Sequence, residues 1–212
     1  MEKQYDTIFE VISKLEGKVR YLYQESRDAS KLPWTSGCTT GKVYLSVMDA
    51  LLLTNVIHLE MVLSLNRHSQ AISDYEKCFA LKQTYVIMQE GYKRIKGYSG
   101  KNNIWKDIKS ECANNSEILQ KEIQEMDNIF GEFEKKNSLN KDLRNIFTHY
   151  DTDMALYCEK LYGIDEKSTI SNYCSMATEL LFPLENLLEK IKEDIESFCP
   201  LVMSPAKCLR RQ

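Results

Sequence analysis

Apolar residues recur along this chain at three- and four-residue intervals and almost never in strict alternation, a pattern that predicts helices from end to end. The first predicted helix runs from about Lys3 to Ser26, its apolar register carried by Ile8, Val11, Ile12, Leu15, Val19 and Leu22. A loop from Arg27 to Gly41, containing Pro33, Trp34 and Gly37, leads into the most apolar stretch, Val43 to Leu65. That stretch has the length of a membrane span, but Asp49, Asn55, His58 and Glu60 within it are each costly in hydrocarbon. It reads instead as the central buried helix of a bundle. A third helix is expected after Asn66, ending near Tyr98 at Gly97 and Gly100.

A broken segment follows, from Ile104 to Cys112, and then a restart. There Asn114 can cap and Glu117 takes the third helical position, as in a capping box. The restart continues through Ile118, Ile123, Met126, Ile129, Phe130 and Phe133 to about Lys136. Asn137-Ser138-Leu139-Asn140 turns the chain into a further helix, closed by the run Gly163 to Lys167. The last helix starts between Ser168 and Ser171 and reaches Phe198, with a kink expected at Pro183. Beyond Pro200 the chain reads as a frayed basic tail carrying Lys207, Arg210 and Arg211.

Composition narrows the class. The 212 residues include only 8 Gly and 4 Pro, too little turn material for an all-β fold. The expected architecture is therefore all-α: one up-and-down bundle of about five to six helices over residues 1–200, with 201–212 as a flexible tail. A net charge of −3 argues against a protein that coats nucleic acid nonspecifically, though not against a local basic site. Seven cysteines, in no metal-binding spacing, read as reduced cytosolic thiols. No short apolar leader follows Met1, so a cytoplasmic protein without membrane attachment is expected. The stretch Ser36 to Lys42 glances at a phosphate loop, but its glycines are too close together and Val43 stands where Ser or Thr is needed.

The chemistry concentrates in the helix after Asn140. At about 100° per residue, Leu139, Leu143, Ile146, Phe147, Tyr150, Met154, Tyr157, Cys158 and Leu161 gather on one third of its circumference. Arg144, Asn145, Thr148 and His149 fall on the opposite side, with Leu156 near them. An imidazole beside a permanent guanidinium on a rigid support offers proton transfer next to anion stabilisation. A phosphodiester is the natural substrate for that pair. No cluster of Asp, Glu and His calls for a metal, and no cofactor is expected.

The arrangement Arg144-Asn145-x-x-x-His149 resembles the signature of the HEPN superfamily, small all-helical domains with an arginine and, four to six residues later, a histidine on one bundle helix. The resemblance rests on this motif and its helical setting. It implies an HEPN-like bundle and metal-independent RNA cleavage in a cleft where two copies of the motif meet across a homodimer. It also implies a place in toxin–antitoxin or phage-defence systems, with an antitoxin or defence-complex protein as a further partner. Some members of the superfamily have lost catalysis and serve as binding modules or helical interaction subunits, and that is the alternative reading.

In the chemistry so implied, RNA is cut through its own 2′-hydroxyl. His149 takes the 2′-OH proton or protonates the leaving 5′-oxygen. Arg144 stabilises the developing charge on phosphorus. Asn145, four residues before His149, orients the imidazole or binds a phosphate oxygen, and Thr148 is a secondary contact. One histidine cannot hold both protonation states at once, which is a chemical reason to expect a dimer.

A second feature lies between Lys93 and Lys109. Lys93, Arg94, Lys96, Lys101, Lys106 and Lys109 meet one acid, Asp107, with Tyr92, Tyr98 and Trp105 among them. Cations interleaved with aromatics suit single-stranded RNA, and Lys93, Arg94, Lys96 and Lys101 are its candidate contacts. His58 is expected as a hydrogen-bonded core or groove residue and His68 as a helix-end residue. Asp49, Asn55 and Glu60 need polar partners, and one of them is a candidate to orient Arg144 or His149 from across the bundle.

Overall fold

Helical periodicity and the scarcity of glycine and proline lead to an all-helical chain, and the computed structural model, which describes residues 2–33, 39–97, 117–136 and 154–198, is all-helical. Its helices are α1 (Glu2–Ala29), α2 (Thr39–Gln70), α3 (Asp74–Ile95), α4 (Glu117–Lys136), α5 (Met154–Tyr162), α6 (Glu166–Met176) and α7 (Phe182–Phe198). A π-helical turn, Ala177–Leu181, joins α6 to α7. No strand occurs among the described residues.

The central apolar stretch is the axis of the fold. α1, α3, α7 and the π-turn all pack on α2. Val47, Met48, Leu51 and Met61 of α2 are fully buried, against Met88 of α3 and Leu180, Leu184, Leu188 and Ile191 from the last helices. By length and composition Thr40–Gln70 could cross a membrane, yet 56% of its most apolar window is buried inside the bundle. Its polar side chains bond to nearby backbone: Thr54 Oγ1 donates to Ala50 O at 2.8 Å and Ser64 Oγ to Ala80 O of α3 at 2.9 Å.

Two boundaries differ from the sequence reading. α2 continues past Asn66, and the break falls at residues 71–73, where a capping box starts α3. Ser73 Oγ accepts from the Glu76 N–H at 3.2 Å, while Glu76 Oε2 accepts from the N–H groups of Ile72 at 2.9 Å and Ser73 at 3.2 Å. α3 ends where expected, with Gly97 at φ 74°, a conformation that favours glycine. The Asn114 cap of the restart lies outside the described residues, whose α4 begins at Glu117.

The second difference concerns Pro183. In a straight α-helix residue 183 would donate to the Glu179 carbonyl, but proline has no N–H and its ring presses on that carbonyl. The chain widens into the π-turn immediately upstream of the proline. The Phe182 N–H bonds to Ala177 O, five residues back, and α7 then continues regularly.

Ion pairs tie α1 to α7. Lys18 reaches Glu185 and, at 2.6 Å, Glu189. Lys192 lies 2.7 Å from Glu25 and 3.7 Å from Glu196, and the Tyr44 hydroxyl donates to Glu196 at 3.0 Å. Because Lys192 and both carboxylates are largely buried, losing one partner would strand a charge.

α2 and α3 approach closely at Gly91, where an added Cβ would stand 2.8 Å from Ile57 Cγ2, a branch-point methyl with little room to move. Gly17 on α1 has nothing within 4 Å of the same position. The two glycines should therefore respond oppositely to alanine. Gly91→Ala should lower stability by about 1–3 kcal/mol through overpacking. Gly17→Ala should raise it by up to about 1 kcal/mol through helix propensity. Urea unfolding of both variants measures this, and a Gly91→Ala protein as stable as the parent would contradict the close approach.

Candidate functional site

Arg144, Asn145, Thr148 and His149 lie outside the described residues, as does Lys101. The helices on either side of residues 137–153 are described. α4 ends at Lys136, whose Nζ is 3.7 Å from Glu179 in the π-turn. α5 begins at Met154, and Tyr157 and Leu161 are buried while Met154 and Cys158 are exposed. Of the four stripe members among the described residues, Tyr157 and Leu161 are the ones buried in the bundle. Tyr157 Oη accepts from the buried Lys82 of α3 at 2.9 Å. Leu156 is half-buried.

The basic residues after Tyr92 sit at the end of α3. Arg94 is exposed and Lys93 partly so. Lys96 is committed elsewhere: it pairs with Glu134 of α4, which also accepts from the Tyr92 hydroxyl at 2.5 Å. Lys96 Nζ stands 6.0 Å from the Tyr92 ring centroid. Tyr92 in turn packs on Phe133, ring centroids 5.3 Å apart. Of the three described basic candidates, Lys93 and Arg94 remain for a ligand, and Lys96 serves the α3–α4 contact.

A buried polar pair on α2 was not fully anticipated. Asn55 and His58, one turn apart, are 0% and 4% exposed. Asn55 Nδ2 donates to Leu51 O at 2.9 Å. Among the described residues, neither Asn55 Oδ1 nor His58 Nδ1 has a hydrogen-bond partner, so the expectation of a hydrogen-bonded His58 fails at Nδ1. Phe182 meets the imidazole edge-on at 5.0 Å and Tyr173 lies at 6.5 Å, placing His58 against the junction of α6 and α7. No spacing rule could have named these neighbours, because Tyr173 and Phe182 are brought there by the π-turn.

Burial lowers the His58 pKa, opposed by the Glu185 carboxylate, and the ring is held neutral. His68 occupies the last turn of α2 as expected, with Glu166 Oε1 3.9 Å from its Nε2. Asp49 accepts from Ser26 Oγ at 3.3 Å, and burial raises its carboxyl pKa. Glu60 is exposed.

No protein-family model matches the chain, and neither a curated protein nor a solved structure matches it. The fold defines an all-helical protein, and its function has to be argued from its own residues.

The buried neutral imidazole gives a pH dependence of known sign. A histidine whose pKa is depressed by folding contributes no penalty above its unfolded value near 6.5. As pH falls below that value the unfolded chain takes up the proton first, and stability drops until the folded pKa is passed. Urea unfolding should therefore show the parent losing more stability between pH 7.5 and pH 5.5 than His58→Gln. Equal losses in the two proteins would remove this account of His58.

Proposed function

We propose that the chain is a metal-independent endoribonuclease of the phage-defence or toxin–antitoxin kind, cutting RNA through attack of its 2′-hydroxyl. The observation that carries this reading is the spacing Arg144-Asn145-x-x-x-His149 opposite an apolar stripe. Two features of the fold support it: the chain is all-helical, and Tyr157 and Leu161 bury the end of the stripe that the motif shares.

On this reading His149 moves the proton, Arg144 meets the charge that develops on the phosphoryl oxygens, and Asn145 fixes the imidazole. The 2′-oxygen bonds to phosphorus as the bond to the 5′-oxygen breaks. The 2′-OH proton passes to one imidazole, and the leaving oxygen takes a proton from another. The products are a 2′,3′-cyclic phosphate and a 5′-hydroxyl. A homodimer supplies the second histidine, and RNA bound in the cleft touches Lys93 and Arg94 on α3.

His149→Ala and Arg144→Ala should each slow cleavage of RNA by roughly two orders of magnitude or more. Both should leave helical content and the unfolding midpoint near the parent's, since neither residue belongs to the apolar stripe. Chelator-treated protein incubated with end-labelled RNA provides the assay. Undiminished cleavage by either variant, or products ending in 5′-phosphate, would rule the mechanism out.

A further inference from the structure

An open groove of about 830 Å³ runs between α2 and α3 and meets a second hollow of about 400 Å³ at Arg67, Gln70 and Phe79. Its chemistry is neither purely apolar nor simply basic. Tyr75, 51% exposed, stacks on Phe79 with ring centroids 6.4 Å apart and planes 16° from parallel. Behind them Lys82 is buried with its Nζ 5.4 Å from the Phe79 centroid, a fixed cation beside the aromatic pair. Arg67 is exposed, and its Nη1 donates to Gln83 Oε1 at 3.2 Å. A neutral amide thus holds the guanidinium in place, and among the described residues no carboxylate pairs with it.

Two acids, Glu60 and Glu76, line these hollows, and among the described residues neither forms an ion pair with Arg67. Glu76 is drawn into the capping box, where the backbone donors of Ile72 and Ser73 hold its pKa below the usual range. Glu60 stands about two turns from Arg67 along α2. At about 100° per residue, Tyr75, Phe79, Gln83, Val86, Lys93 and Arg94 project within about 100° of one another, with Glu76 and Glu90 on the same face, so the groove face of α3 leads toward the half-buried Lys93 and the exposed Arg94 at its end. A partner helix would call for a continuous apolar floor, whereas Arg67, Gln70 and Gln83 interrupt this one with planar hydrogen-bonding groups.

We propose that this groove binds single-stranded RNA, with a base laid on the Tyr75–Phe79 stack, its phosphate on Arg67, and the strand running toward Lys93 and Arg94. Stacking and a guanidinium on the backbone are the two contacts that such a ligand needs. The proposal rests on the RNA reading of the chain for the identity of the ligand, and not on cleavage.

The probe is a fluorescent 2′-O-methyl oligouridylate, which lacks the attacking hydroxyl, titrated into the full chain over a salt series. Tyr75→Ala should weaken binding about tenfold or more, while Tyr75→Phe retains it. Arg67→Gln should weaken binding and reduce the salt slope by about 0.7–1. Circular dichroism of each variant should match the parent. Parent-like affinity and slope in both Tyr75→Ala and Arg67→Gln would overturn the proposal, as would tighter Arg67-dependent binding of an amphipathic helical peptide. Binding through Arg67 and Tyr75 by a chain that cleaves no RNA would defeat the ribonuclease reading and leave this one standing. His149-dependent cleavage, with groove variants that bind as the parent does, would defeat this proposal alone.

Discussion

Enclosing α2 is the constraint on which the rest of the structure depends. A 32-residue helix this apolar has to be covered nearly all round, yet it also carries Thr54, Asn55, His58 and Ser64 into the interior. Three of these polar groups donate to backbone carbonyls. Close approach by α3 needs Gly91 opposite Ile57. On the other side α7 is held to α1 by Lys18 and Lys192, whose carboxylate partners lie across that boundary. The apolar axis and the ionic perimeter are therefore two parts of one solution.

The π-turn belongs to the same arrangement. It accommodates Pro183, which cannot donate to Glu179, and is followed directly by Phe182, whose ring meets His58 edge-on. Lys136 reaches Glu179 of that turn, and Tyr157 takes the hydrogen bond of Lys82. Of the helices that flank the Arg144–His149 motif, α4 is thus tied to α3 through Glu134 and to the π-turn through Lys136, and α5 to α3 through Tyr157.

Much of the fold was legible in the sequence. Period alone gave helices where the described residues have them, and Val43–Leu65, expected as a core helix, lies in a helix whose most apolar window is 56% buried in the bundle. The start of α3 was misplaced because the pattern stays apolar through Leu65 and Asn66 resembles a stop, although Ser73 and Glu76 spell the capping box directly. Pro183 is legible as a disturbance, but the period of the pattern does not show that a wide π-turn precedes it. Lys96 looked available to RNA until α4 brought Glu134 to it, a contact between elements that no local pattern contains. The groove at Arg67 was invisible for the same reason, since its two walls come from different helices. The motif residues themselves were legible only as a spacing and a face.

On the proposed reading two Arg144/His149 faces share one cleft, because a single histidine cannot hold both protonation states at once. Sedimentation and RNA cleavage followed over one protein concentration series test it most directly. Specific activity should rise in parallel with the dimer fraction and vanish with it on dilution. A monomer that retains full specific activity would contradict the shared cleft.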